Sequence, residues 1–102
     1  MTKAKVYFSD MRTRYGGLSL PQKLGKLIEA AGIGDIDFQN KFAAIKIHFG
    51  EPGNLSFLRP NYAKVVVDTV AAQGGRPFLT DCNTLYAVSY THLRAHETCA
   101  DL

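Results

Sequence analysis

The chain has no tryptophan, only two cysteines, and no apolar run as long as eighteen residues. The last absence excludes a membrane-spanning helix. The opening MTKAKVYFSD lacks the apolar core and small-residue cleavage site of a secretory signal, so the cytoplasm is the expected location. Nothing in the sequence matches a P-loop, a dinucleotide fingerprint or a nucleophile elbow. The charge excess is small, +3, and its basic residues are scattered rather than striped. That suits a protein handling small anions and does not suit nucleic-acid binding. What remains is ordinary soluble composition, 46% hydrophobic and 21% charged, in 102 residues. One small domain is the most such a chain can build, burying roughly 60–65% of its unfolded surface.

The last fifteen residues call for separate treatment. His92, His96 and Cys99 have the H-x-x-x-H-x-x-C spacing that would gather three soft ligands on one helix face. Residues 88–98, VSYTHLRAHET, however, resemble the translation of a transposase sequencing adapter, and the Asp101-Leu102 pair resumes its constant frame after two barcode codons. Residues 88–102 are therefore expected to be adapter-derived, and these three ligands are rejected with them. Residues 1–87 then carry eleven Lys+Arg against seven Asp+Glu, a formal +4, with one histidine and one cysteine. A single cysteine permits neither an internal disulfide nor a four-cysteine metal site.

Within residues 1–87 the periodicity alternates between strand and helix. AKVYFS (4–9) is short, β-branched and aromatic, and reads as a strand. Leu20, Leu24, Leu27, Ile28 and Ala31 form a helical stripe over 18–32, with Ser19 as N-cap, Pro21 in the first turn and Gly32 as the stop. Lys23 and Lys26 belong on its solvated face. FAAIKIHF (42–49) reads as a second strand and PNYAKVVVDTVAAQGG (60–75) as a second helix, with Val66, Val70 and Ala63 facing the core. RPFLTD (76–81) completes the series. The expected fold is α/β, a partial parallel sheet in β-α-β-α-β order, with strands apolar enough to be covered on both faces.

In an open α/β sheet, ligands sit outside the carboxyl ends of the strands. The three polar loops, SDMRTRYGG, HFGEPGN and TDCNTLY, should all emerge at that edge. There His48 is the one group titrating near neutrality, suited to proton transfer or metal ligation, or else held by a backbone carbonyl. Glu51 offers a base or a hard-metal ligand, or is a solvated loop carboxylate. Asp81 offers the same chemistry, or caps a turn. Lys46 shares the side of His48 and needs Asp81, an anion or water as its partner. Gly50 and Gly53 allow positive φ or a close backbone approach. Arg59 could clamp an anion at the start of the second helix, or be a surface arginine. Asn83 and Thr84 with Asp81 cradle Cys82, which reads as nucleophile, ligand or small buried hydrophobe. Arg12 and Arg14 beside Tyr15 could meet phosphate or be solvated.

Four blocks, VYFSDMR, AAIKIHFGEPGN, LRPNYAKVVVD and GGRPFLTDCNTLY, occur in the order found in the family of domain of unknown function 362. Over residues 4–87 the chain resembles the start of that family, whose members are often described as iron–sulfur centre proteins. The resemblance implies that residues 1–87 are the N-terminal part of an α/β ligand-binding domain. It places Lys46, His48, Glu51, Asn54, Arg59, Asp81, Asn83, Thr84 and Tyr86 at motif positions. It also implies a 4Fe–4S cluster held in a C-terminal part of the parent protein; no cofactor is expected in this fragment.

The leading expectation is thus a fragment of a cytoplasmic iron–sulfur protein. His48, Glu51 and Asp81 would do its chemistry, and Lys46, Gly50, Asn54, Arg59, Asn83, Thr84 and Tyr86 would bind the ligand. Its partner would be a small anion, a metal-bound ligand or an electron-transfer protein. The alternative is a non-redox metal-dependent isomerase or hydrolase using His48 and a carboxylate. The fragment is also expected to show an unpaired hydrophobic edge and to aggregate.

Overall fold

The computed structural model describes residues 2–50 and 52–81. Helix α1, Leu20–Ala31, begins at a capping box: the Gln22 amide donates to Ser19 Oγ at 3.3 Å, and the Ser19 amide donates to Gln22 Oε1 at 2.9 Å. Pro21 lies in the first turn, where its missing N–H costs nothing, and Gly32 stops the helix with φ 102°. A single 3₁₀ turn, Ile33–Asp35, leads on to strand β1, Phe42–Lys46. Helix α2, Pro60–Ala72, and strand β2, Arg76–Thr80, complete the described order.

β1 and β2 are parallel neighbours, Phe42 opposite Arg76 and Lys46 opposite Thr80. The ladder is prolonged at both ends, by the Arg76 amide on the Lys41 carbonyl (2.8 Å) and the Ile47 amide on the Thr80 carbonyl (2.9 Å). By that alternation, Arg76, Phe78 and Thr80 bond toward β1, and Pro77 faces the outer edge of β2, where a missing donor is tolerated. A partial α/β architecture with a parallel sheet is therefore what the chain adopts.

Two details depart from the sequence expectation. Residues 4–9 are not a strand: they join no ladder, and Val6 and Phe8 are 87% and 84% exposed. Strand propensity describes a pleated, half-buried surface, and without a neighbour to pair with it leaves only an extended segment. The second departure concerns coverage. α2 packs on the sheet and α1 packs on α2, while α1 touches neither strand. Both helices thus lie on one side. Ala43 and Ile45 are half-buried beneath them, whereas Phe42 and Phe78 on the other face are exposed, with the Arg76 guanidinium 5.6 Å from the Phe42 ring centroid. Among the described residues only Ala63 and Val70, two turns apart on α2, are fully buried.

The connections at the amino end of the sheet are tight. The Asn40 amide donates to the Gly74 carbonyl at 2.9 Å. A Cβ on Gly75 would stand 2.6 Å from Val70 Cγ1 and 3.0 Å from Phe38 Cβ, so only glycine lets the chain leave α2 there.

Candidate functional site

Because β1 and β2 are adjacent, their carboxyl ends bring His48 and Asp81 together. His48 Nδ1 stands 3.4 Å from Asp81 Oδ2, and the Phe49 amide donates to the same oxygen at 3.4 Å. The Asp81 side chain is 19% exposed and that of His48 44%, so the carboxylate forms the back of the pair and the imidazole its solvent side. Lys46, two residues before His48, is exposed on the uncovered face opposite Thr80 and makes no ion pair among the described residues. The Asp81 carboxylate is turned to His48 and Phe49 rather than to Lys46.

The loop after β1 folds back to make a facing wall. Gly50 has φ 100°, and a Cβ there would lie 3.0 Å from Phe57 Cε1, so the aromatic ring rests directly on the glycine. Asn54 Oδ1 accepts from the Ser56 amide at 2.8 Å, closing an Asx turn. An open cleft of about 590 Å³ results, lined by Lys46, Ile47 and His48 on one side and Ser56, Phe57 and Leu58 on the other. Asn54 and Gly50, expected at the ligand, thus shape the wall. Arg59 is the exposed N-cap residue of α2, makes no side-chain cap bond, and does not line the cleft.

The Ser9–Gly17 loop lies elsewhere, at the amino end of α1. Lys23 was expected on a solvated face. Its side chain is instead only 20% exposed, and its ammonium is held by the Asp10 carboxylate and the Arg12 carbonyl, the latter at 2.9 Å. That hydrogen bond from Lys23, with a second from the Arg12 amide, holds the Asp10 carboxyl below the usual carboxylate range. The cleft this makes, about 270 Å³ and lined by Asp10, Arg12, Arg14, Gly17, Leu18 and Lys23, shares no residue with the one at His48. Among the described residues, only the carboxyl ends of β1 and β2 come together, and the Ser9–Gly17 loop does not join them.

Glu51, Cys82, Asn83, Thr84, Tyr86, His92, His96 and Cys99, and the expected break after Ala87, lie outside the described residues. Sequence reasoning missed Ser56, Phe57 and Leu58. The signal that points to them is Gly50 with Gly53, which allows the loop to reverse, followed by an apolar pair just before the helix-opening proline.

Among the described residues no group of three or more His, Cys, Asp or Glu side chains could hold a metal ion, and no helix is long and apolar enough to cross a membrane. No curated protein and no solved structure matches the chain. The family model described as Domain of unknown function (DUF362) matches residues 43–101, more than half of the chain and across the expected break. The chain belongs to that family.

Proposed function

We propose that this chain, as a member of the family of domain of unknown function 362, is the part of a cytoplasmic iron–sulfur protein that binds a small anionic or metal-bound ligand outside the carboxyl ends of β1 and β2. The supporting observation is the approach of His48 Nδ1 to Asp81 Oδ2, 3.4 Å, at the mouth of an open cleft. A carboxylate beside Nδ1 favours the tautomer with its proton there, leaving the Nε2 lone pair for a metal or for a proton on the ligand. When the ring is protonated, Nε2–H becomes a donor to an anion instead. Among the described residues His48 and Asp81 supply at most two metal ligands, so the remaining ligands would come from elsewhere. A 4Fe–4S cluster takes four thiolates, and two cysteines do not fit it. In this reading the cluster sits in another part of the parent protein, and an electron-transfer protein is its partner.

The test is an NMR titration of the chain with Mn²⁺ and, separately, inorganic phosphate. Broadening or shifting centred on His48 and Phe49, lost in His48→Ala and Asp81→Asn, is the expected result. Silence at His48 from both of these probes and from small carboxylates alike would end the proposal. Because His48 is well exposed, His48→Ala should alter stability by no more than about 0.5 kcal/mol, so lost binding would not reflect lost folding.

A further inference from the structure

The two walls of the cleft differ in chemistry. One carries the Lys46 ammonium and the His48 imidazole; the other carries the Phe57 ring and Leu58, which is 63% exposed, with only the Ser56 hydroxyl between them. No carboxylate and no guanidinium lines it among the described residues. We propose that the cleft takes a small monocarboxylic acid with an apolar, aromatic or branched body. The carboxylate would lie between Lys46 and His48 and the body against Phe57 and Leu58. The inference rests on the strand-end binding reading above and narrows its ligand class.

Three features support it. A carboxylate's single charge matches one ammonium, and the protonated form of the imidazole adds an Nε2–H donor. A phosphate, more highly charged and more strongly hydrated, would find among the described lining residues no forked arginine and, on the far wall, only the Ser56 hydroxyl. The apolar wall is built rather than accidental: Gly50 at φ 100° seats the Phe57 ring, and the Asn54–Ser56 turn fixes the approach to it. The volume, about 590 Å³, is in the range of small-molecule sites.

The experiment compares three probes on the whole chain, followed at the His48 ring and Leu58 methyl resonances: phenylacetate, acetate, which lacks the body, and 2-phenylethanol, which lacks the charge. Phenylacetate should bind about tenfold tighter than either, since covering an aromatic face and pairing one charge each supply enough for that ratio. Lys46→Met should weaken phenylacetate about tenfold, and Leu58→Ala severalfold. Both residues are exposed, so both variants should keep the wild-type melting temperature. Equal affinity for acetate and phenylacetate, or an unchanged affinity in Lys46→Met, would overturn the assignment. Mn²⁺ or phosphate acting at His48 without a preference for phenylacetate would sink the ligand class alone. Silence from every probe would sink the strand-end reading with it.

Discussion

The two ends of the sheet use the same kinds of residue for opposite purposes. At the amino end, Gly74 and Gly75 let backbone and side chains touch: the Gly75 Cα lies against Val70 and Phe38, and Asn40 bonds the Gly74 carbonyl. The charged groups there are spent locally, Asp37 on Lys41 at 3.2 Å and on the Gln39 amide at 3.1 Å. At the carboxyl end, Gly50 reverses the chain so that a wall stands apart from the strands, and a lysine and a histidine face the gap. Glycine and charge therefore do not mark a site by themselves. A site is marked where the backbone geometry leaves polar groups facing space instead of one another.

That contrast can be broken by substitution. The largest effect should come from Gly75→Ala, whose new methyl must push aside Val70 and Phe38; overpacking of this kind costs about 1–3 kcal/mol. Gly53→Ala in the cleft loop, with nothing within 4 Å of the added Cβ, should cost only its positive-φ strain, about 1 kcal/mol. Equal losses in thermal melts would remove the distinction between a packed end and an open one. Ser19→Ala should cost about 1 kcal/mol through the lost cap on α1, read as a lower midpoint and reduced helicity.

The smallest effect expected is acid loosening of the Ser9–Gly17 loop. Asp10 is held below its ordinary value chiefly by the Lys23 hydrogen bond. A depressed carboxyl contributes stability above its unfolded pKa and loses it as pH falls through the folded one. The protection of amides in that loop, relative to their intrinsic exchange at each pH, should therefore drop on acidification below about pH 4. In Lys23→Met it should be lower already at neutral pH and less sensitive to acid. A wild-type loop indifferent to acid would show that this contact holds nothing.

The helices were legible because their signals are local. Ser19, Pro21, Gly32 and Pro60 each act within one turn, and each does so in the structure. Of Ala63, Val66 and Val70, expected from helical spacing to face the core, Ala63 and Val70 are buried and Val66 is half-buried. AKVYFS misled because its signal is equally local while a strand requires a distant partner. Lys23 misled for a related reason. Its place on the helical wheel reads as solvent, but the loop residues that hold it, Asp10 and Arg12, lie thirteen and eleven residues upstream.

By itself, the sequence determined the helices with their caps, the two strands and the gathering of polar residues at the strand ends, since each depends on residues a few positions apart. Only the tertiary structure decided that β1 and β2 are direct neighbours. One intervening strand would have separated His48 from Asp81 by roughly a further 4.8 Å, enough to undo the pair. It also decided that both helices share one face and that Phe57 and Leu58 stand opposite Lys46. Those outcomes depend on register, crossover and loop reversal, which join residues far apart in the chain, and local spacing carries no record of them.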